Sequence, residues 1–467
     1  MIIYIIIVFS LVLRLINLNQ SLWLDEAAQA IESSGSLGSL GYIVADFMPP
    51  LFHILLHFWM SIFTNEVWMR LLSVFMGVGT IFFTYKIAQK IYSEQVGHIS
   101  ALLLTISPFH IYYSQELRPY SLATFVTTAG TYFLLTNNWV AYAVVAVLTV
   151  YSLYTAPFIF VAHGVYIFLK KRKAFLYWMK AISISLLSFV PWLPTFFQQL
   201  SGGSGLTHIL PGWSEAVSIS PVKAVALTLA KFMIGRVTIE NKPLYAVTFL
   251  LMTIGILILW YRSIKVWKGT SAALTLFIAI PTALAFGISF FLPIIAPQRL
   301  LFTLPFFLLI LASGLATFRY QSKIIILLGI LLPNLFGLSQ YYLNPRFQRE
   351  QWRQATAFVE DQADTHTAVV FAFPEPFAPY LWYSKDKTHA IGIVKNFLVN
   401  QDDLQNLSLY VSNKTSIFFF QYLTDLTDPQ KEIPKNLEAN GFTLMKTIDF
   451  PGVGFVYEYR RGYNTTL

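Results

Sequence analysis

The sequence predicts a polytopic α-helical membrane protein, with about 11 transmembrane helices and a small C-terminal α/β domain outside the membrane. Hydrophobic residues make up 56% of the 467 residues and charged residues only 12%, about half the charged share of an average soluble domain. Apolar runs of roughly 17–23 residues, long enough to cross a hydrocarbon core, recur through the first 343 positions. Beyond that point the charge density rises and short strand-like runs appear.

Basic turns assign the sides of the membrane, because lysine and arginine accumulate in cytoplasmic loops. The clearest turn, Lys170-Lys171-Arg172-Lys173, directly follows an apolar run. Three further basic turns become cytoplasmic if the N-terminus is inside and the C-terminus outside: Lys86 with Lys90, Arg262 with Lys265 and Lys268, and Arg319 with Lys323. The eleven spans predicted in this way are 2–18, 70–88, 95–112, 120–136, 139–156, 157–169, 175–197, 244–261, 270–292, 300–317 and 322–343. The same bias explains the net charge of +9. We therefore expect the chain to lie in the plasma or inner membrane, with the lipid bilayer and not nucleic acid as its partner.

Two apolar stretches fit poorly as crossings. The stretch 49–63 is short for a span, and 221–235 carries Lys223 and Lys231. Counting either one alone as a span would move every later basic turn outside. We therefore expect both stretches to be interfacial or re-entrant helices on the outer face.

The first apolar run, Ile2 to Leu18, lacks a basic leading segment and a small-residue cleavage site. It is therefore predicted to be a retained helix and not a removable signal peptide. The chain contains no cysteine, which excludes disulfides and thiolate metal sites.

The chain is predicted to divide after position 343. Residues 1–343 form the transmembrane domain, with an outer-face loop at 19–69, and residues 344–467 form the extracytoplasmic α/β domain. Strands are expected at 368–373, 416–420 and 454–459, after a helix near 350–361.

Three charged clusters lie at helix ends on the predicted outer side, where apolar walls border water. They contain Asp25 and Glu26, then Glu116, Arg118 and Tyr120, and finally Arg299. Such a cleft can hold a lipid phosphate and a sugar together, and we expect Asp25, Glu116 and Arg299 to meet there.

Each cluster also has a purely structural explanation. Asp25 can cap the helix that follows it. Glu116 can pair with Arg118, and Arg299 can extend to lipid headgroups. Arg14 lies inside the first span, where a charge is costly and usually has a partner or a function. His53 and His57 are spaced like two metal ligands on a helix, but without a third ligand the spacing favours packing.

The motifs around these clusters resemble the GT-C class of membrane glycosyltransferases, family 39. Arg14-Leu15 followed by Ser21-Leu22-Trp23-Leu24-Asp25-Glu26-Ala27 is similar to the first outer loop of the protein O-mannosyltransferase-like and aminoarabinose-transferase-like members. The resemblance continues in Pro49-Pro50-Leu51-Phe52, His57-Phe58-Trp59, Arg70-Leu71-Leu72-Ser73, Ser107-Pro108-Phe109, Tyr113 to Tyr120, and Asn344-Pro345 with Gln351-Trp352-Arg353.

The resemblance implies transfer of a hexose or pentose from a polyprenyl-phosphate carrier to an acceptor hydroxyl in the cell envelope, with inversion. By the family's motifs, Asp25 is the expected general base. Its neighbour Glu26 is expected to position the acceptor or to contact a metal, and Glu116 to orient the acceptor or to share a cation. Arg118 and Arg299 are expected to bind the donor phosphate, since arginine contacts phosphate oxygens bidentately.

Further residues are candidates for binding the substrate or a metal ion, without a specific role in the reaction. Arg70, Arg14 and Tyr120 are further substrate-binding candidates, and Arg70 can instead be structural. The sequence establishes no cofactor. Asp25 and Glu116, with Glu26, offer oxygen ligands that suit magnesium or manganese.

A lipid-linked sugar flippase or solute transporter is the main alternative, since it also needs many spans and intramembrane charges. A non-catalytic scaffold is a third. Carboxylates at helix ends and an attached outer domain favour the transferase. The sugar and the acceptor, whether protein, lipid or glycan, stay open.

Overall fold

The computed structural model describes residues 1–36, 47–209, 220–385, 390–396 and 398–462. The chain folds into two compact units. The first contains Met1–Leu18 and most of the chain between positions 47 and 347. The second contains Asn19–Ser34 and the C-terminal part of the chain from Gln348.

Helices dominate the first unit, and a sheet organises the second. In chain order the helices are α1 (Ile2–Leu15), α2 (Leu24–Ser34), α3 (Leu51–Met60), α4 (Glu66–Ile91), α5 (Glu94–Ile106), α6 (Pro108–Ser114), α7 (Tyr120–Leu135), α8 (Trp139–Val150), α9 (Phe158–Lys170), α10 (Phe175–Phe189), α11 (Leu193–Ile209), α12 (Pro221–Ile234), α13 (Lys242–Ile288), α14 (Leu304–Ala316), α15 (Tyr320–Leu343), α16 (Trp352–Glu360), α17 (Ala378–Tyr383), α18 (Gln401–Val411), α19 (Thr424–Thr427) and α20 (Glu432–Ala439). The strands are β1 (Thr367–Phe371), β2 (Ala390–Gly392), β3 (Ser416–Phe420), β4 (Phe442–Phe450) and β5 (Gly454–Arg461).

Five helical segments among the described residues are long and apolar enough to cross a membrane: Glu66–Ile91, Arg172–Ser201, Lys242–Ile288, Pro297–Ala316 and Tyr320–Leu343. Four shorter apolar helices accompany them: Ile2–Leu15, Leu51–Met60, Trp139–Val150 and Phe158–Lys170. The predicted helical membrane architecture is thereby confirmed in outline. The number of eleven crossings and the orientation of the termini stay predictions, as does the placement of the stretches 49–63 and 221–235.

A break divides the longest helix. Within α13, Lys268 has φ 25° and interrupts the helical geometry, which is unusual for a residue with a side chain. The break falls in the interval between the two spans predicted at 244–261 and 270–292.

Helix α14 lies at the centre of the first unit. All residues from Leu304 to Leu315 are buried, as expected for a helix that is apolar on every side. Gly314 brings α14 against α13, because a Cβ at this position would lie 2.1 Å from the Leu259 carbonyl oxygen. Small residues allow this close backbone approach between membrane helices.

The second unit contains a five-stranded sheet in the order β2-β1-β3-β5-β4. Strands β2, β1 and β3 are parallel, while β5 runs antiparallel to both β3 and β4. Strand β4 is largely exposed. Strands β3 and β5 contain the segments predicted at 416–420 and 454–459, β1 overlaps the segment predicted at 368–373 but ends at Phe371, and α16 overlaps the helix predicted at 350–361.

Both faces of the central strands are covered, since alternate residues enter two separate cores. Ala368 and Val370 pack with residues of α18 and α20 on one face. Val369 and Phe371 pack with Trp352 and Tyr380 on the other. The second unit is therefore a three-layer α/β arrangement.

Helix α2 belongs to the second unit. Leu24 packs against the core that contains Trp352, the Leu22 N–H donates a 2.8 Å hydrogen bond to the Tyr383 hydroxyl, and α2 packs on α17. The predicted division after position 343 places this segment in the loop 19–69 of the transmembrane domain, and that division stays a prediction. Residues 37–46 of that loop lie outside the described residues.

Candidate active site

Arg14 is fully buried in the first unit and has several partners. Its guanidinium donates to the Ser10 hydroxyl at 2.8 Å and to the Thr105 carbonyl at 3.3 Å, and it lies 2.7 Å from Nδ1 of His110. Because arginine only donates, the His110 Nδ1 accepts and the ring proton lies on Nε2. Arg14 thus has the partners that a charge inside a span was expected to need.

Gln115 connects the segment before Glu116 to both ends of the membrane part of the chain. Its Nε2 donates to the carbonyl oxygens of Arg14 and Ile16, at 2.9 and 2.7 Å. Its Oε1 accepts from the Tyr341 hydroxyl at 2.8 Å. These contacts restrain the backbone that presents Glu116.

Glu116, Arg118 and Tyr120 are all buried, between α6 and the first turn of α7. The Tyr113 hydroxyl interacts electrostatically with Glu116, and the Tyr113 and Tyr120 rings meet edge to face at 5.2 Å. The predicted second cluster is therefore a buried, polar and aromatic patch of the first unit. Such a patch can orient a polar substrate by hydrogen bonding while its rings exclude water.

Arg236 extends this patch, although the sequence analysis did not identify it. Its guanidinium lies over the Tyr112 ring, 4.5 Å from the centroid, and donates to the Tyr112 hydroxyl. Tyr113 also interacts electrostatically with Arg236. The preceding Gly235 has φ 74°, and a Cβ there would lie 2.7 Å from Pro108, so only glycine fits this close approach. The pair Gly235-Arg236, at the end of the apolar stretch 221–235, is the signal in the sequence that marks it.

Arg299 lies in the 3₁₀ turn Pro297–Thr303, which packs on α7 and α12. Its guanidinium donates to the Pro293 carbonyl at 3.0 Å, and its own carbonyl accepts from Thr155 at 2.6 Å. The side chain is half-buried. Hydrogen bonds of both the side chain and the carbonyl of Arg299 therefore hold this turn in place, and part of the arginine stays exposed.

Arg70 is buried and donates to the Leu18 carbonyl at 2.9 Å. This contact holds the segment that follows α1. Both assignments of Arg70, substrate binding and a structural role, stay predictions.

Asp25 and Glu26 lie in the first turn of α2, in the second unit. Asp25 is half-buried and Glu26 is fully buried. The positive end of the helix dipole favours carboxylates at this position. Because α2 begins at Leu24, Asp25 lies inside the helix, so it does not occupy the capping position that its structural explanation required.

Glu350, which the sequence analysis did not identify, accepts the hydrogen bond of the Leu24 N–H at the start of α2. The Trp352 Nε1 also donates to its carboxylate at 2.7 Å, and the Tyr422 hydroxyl donates at 3.1 Å. Burial, with a contribution from the nearby charge of Asp25, raises the pKa of Glu350 to about 7. The same burial, together with Glu350, raises the pKa of Tyr422, so this hydroxyl stays protonated and donates.

Within the described ranges, no group of three or more histidine and acidic side chains is placed to hold a metal ion. His57 packs edge to face against Phe58. Metal binding by Asp25 and Glu116 stays a prediction, and so does their meeting with Arg299 in one pocket.

The fold is similar to that of ArnT from Cupriavidus metallidurans over nearly the whole length of both chains. The apo structure of ArnT matches with a TM-score of 0.62 and 10% identity, covering 98% of this chain and 97% of ArnT. The structure of ArnT bound to undecaprenyl phosphate matches with a TM-score of 0.61 and 10% identity, covering 99% and 98%. The chain has the GT-C fold. The archaeal oligosaccharyltransferase AglB from Archaeoglobus fulgidus, solved with an inhibitory peptide and a dolichol-phosphate, matches with a TM-score of 0.54 and 13% identity.

The AglB match covers 98% of this chain and 73% of AglB. No protein-family model matches the sequence, and no match was found among curated proteins. The resemblance to GT-C enzymes that the loop motifs predicted is thus confirmed at the level of the fold.

Proposed function

We propose that this GT-C protein is a glycosyltransferase that moves a sugar from a polyprenyl-phosphate donor to an acceptor hydroxyl on the outer face of the cell membrane, with inversion. The observation that carries the proposal is the fold similarity to ArnT, which extends over almost all of both chains and includes an ArnT structure that holds undecaprenyl phosphate. Nucleotide sugars are cytoplasmic, so a transferase that acts outside needs a lipid carrier that has already crossed the membrane.

Asp25 is the proposed general base. It is half-buried in the first turn of α2, where the helix dipole favours its ionised form. The acceptor oxygen attacks the anomeric carbon from the face opposite the phosphate while Asp25 takes the hydroxyl proton. The bond between the anomeric carbon and the phosphate oxygen breaks, and the polyprenyl phosphate leaves as an anion. Glu26 and Glu116 are proposed to position the acceptor.

Arginines are proposed to stabilise the departing phosphate, which is already a stable anion and needs a cation more than a proton. Arg118 and Arg299 are the candidates from the sequence. Arg236 joins them because it is an exposed residue whose guanidinium is oriented by the Tyr112 ring and hydroxyl. Arginine stacked on an aromatic ring keeps its planar donors directed at a ligand.

The proposal is tested with purified protein, a polyprenyl-phosphate sugar labelled in the sugar, and a membrane extract as the source of acceptor. We expect label to move to an acceptor and polyprenyl phosphate to be released in equal amount. A flippase in the same detergent solution releases no polyprenyl phosphate. If a panel of donors carrying mannose, glucose, galactose and aminoarabinose gives neither product, the transferase proposal is wrong.

A further inference from the structure

We propose that Glu350 is a positioning residue for Asp25: it fixes the first turn of α2 and thereby the place of the Asp25 carboxylate. The proposal rests on the proposed function in one respect, the role of Asp25 as the base. Glu350 itself is not proposed to touch the substrate.

Three donors from three separate segments fix the Glu350 carboxylate. They are the Trp352 Nε1 at the start of α16, at 2.7 Å, the Tyr422 hydroxyl after β3, at 3.1 Å, and the Leu24 N–H. Trp352 is fully buried and stacks on Phe420, with its ring plane tilted by only 9°. A carboxylate that accepts from such fixed donors has little freedom to move.

The link from Glu350 to Asp25 is one residue long. Leu24 is the first residue of α2 and Asp25 is the second. The N–H groups of a first helical turn have no partner within the helix, so an acceptor from elsewhere decides where the helix begins. Glu350 supplies this acceptor, and it therefore sets the position of the Asp25 backbone.

Further contacts hold the segment around Glu350 against the segment that leads into α2. The Ser21 hydroxyl donates to the Glu350 carbonyl oxygen, and the Arg349 N–H donates to Oε1 of Gln20 at 2.9 Å. Gly452 has φ 82°, and a Cβ at this position would lie 2.9 Å from the Glu350 Cα. The backbone of residue 350 is thus enclosed on one side by the turn before β5 and bonded to the segment that leads into α2.

The choice of residue type points to function. A glutamine at this position offers the same acceptor oxygen without adding a charge. Glu350 instead places a second carboxylate close to Asp25, where it raises electrostatic repulsion and is partly desolvated. A locally unfavourable arrangement of this kind is expected where a side chain must be held for chemistry.

The test compares Glu350→Ala with a matched control, Asp428→Ala. Asp428 is a buried carboxylate of the same unit that accepts from the N–H groups of Glu432 and Ile433, at 2.7 and 2.9 Å, at the start of α20. Both variants remove a carboxylate that holds a helix start, but only one of these helices contains Asp25. All assays are made at a temperature at which the parent and both variants are folded.

We expect Glu350→Ala to lower kcat by about 10- to 100-fold, because a small displacement of a catalytic group is costly, and to leave the KM for the lipid donor within about twofold. Glu350→Gln keeps an acceptor oxygen and should recover part of kcat. Asp428→Ala should keep the parent kcat. Equal kcat losses in Glu350→Ala and Asp428→Ala at equal loss of thermal stability would overturn the proposal, as would an unchanged kcat in Glu350→Ala.

A second measurement separates this proposal from the proposed function. Amide hydrogen exchange of the full chain in detergent should show faster exchange at Leu24, Asp25 and Glu26 in Glu350→Ala, and at Glu432 and Ile433 in Asp428→Ala. Unchanged exchange at the start of α2 overturns the positioning role whatever the activity. Faster exchange there, in a protein whose Asp25→Asn variant is as active as the parent, overturns the role of Asp25 as the base and leaves the structural link intact.

Discussion

The Tyr341 hydroxyl donates a 2.8 Å hydrogen bond to Oε1 of Gln115, and this bond ties the end of α15 to the segment that presents Glu116. Gln115 also donates to the carbonyl oxygens of Arg14 and Ile16. Because Gln115 and Tyr341 are buried, the groups that lose their partner when Gln115 is removed cannot readily be solvated.

Gln115→Ala should therefore destabilise the folded chain by about 1–3 kcal/mol or more and lower sugar transfer. Tyr341→Phe removes only one of the three hydrogen bonds and should have a smaller effect. Thermal unfolding in detergent measures both variants. Equal melting temperatures for Gln115→Ala and the parent would show that this network does not restrain the segment.

Asp25→Asn should abolish sugar transfer and leave the fold intact, because an amide keeps the size of the side chain but cannot take the acceptor proton. Asp402→Asn is the control, since Asp402 is also in the first turn of a helix of the second unit and is exposed. Initial rates with a labelled donor, together with melting temperatures, make the comparison. Parent-like turnover by Asp25→Asn would remove Asp25 as the base.

Arg299→Ala should raise the KM for the lipid donor by about 10-fold or more, since charge-assisted hydrogen bonds to phosphate contribute roughly 1.5–3 kcal/mol. Arg319→Ala removes an exposed arginine of the same unit that lies in a predicted cytoplasmic turn, and its KM should stay close to that of the parent. Donor titrations at saturating acceptor measure both. If Arg299→Ala has the donor KM of the parent, the phosphate lies elsewhere.

The pKa of Glu350 predicts how stability depends on pH. Burial is the main cause that raises this pKa, and the charge of Asp25 raises it further. In the folded chain the pKa shifts from its ordinary 4.5 to about 7. The folded state therefore binds the proton more tightly than the unfolded state. The stability contributed by this group is fully present below about pH 4.5, and it is lost as the pH rises through about 7.

Glu350→Gln removes this titration. The melting temperature of the parent, relative to that of Glu350→Gln, should fall between about pH 4.5 and 7 and stay level at higher pH. Thermal unfolding followed by tryptophan fluorescence, repeated at steps of about half a pH unit, measures this difference in melting temperature. A difference that does not change with pH would show that Glu350 titrates at its ordinary value.

The absence of cysteine from the sequence allows the predicted orientation to be tested with single-cysteine variants. Asn413 is exposed in the second unit, and Lys173 is exposed in a basic turn of the first. In spheroplasts, a membrane-impermeant maleimide should label Asn413→Cys and should label Lys173→Cys only after detergent is added. The reverse pattern would place the second unit in the cytoplasm.

The sequence alone determined the features that depend on local composition. Long apolar runs predict membrane helices because hydropathy is a sum over neighbouring residues, and α4, α13 and α15 lie where those runs are. The strand-like segments near Ala368 and Ser416 were recognisable for the same reason. Charges at the ends of apolar runs also mark Asp25, Glu116 and Arg299 as candidates, and their catalytic roles stay predictions.

Only the tertiary structure decided which distant segments meet. The partners of the Glu350 carboxylate are Leu24, Trp352 and Tyr422, and those of the Gln115 side chain are Arg14, Ile16 and Tyr341. Helix α2 follows the first apolar run in the sequence, yet it packs in the core of the C-terminal unit. Hydropathy carries no information about such partners, because a hydrogen bond or a packed ring depends on where two segments lie in space and not on the residues beside them in the chain.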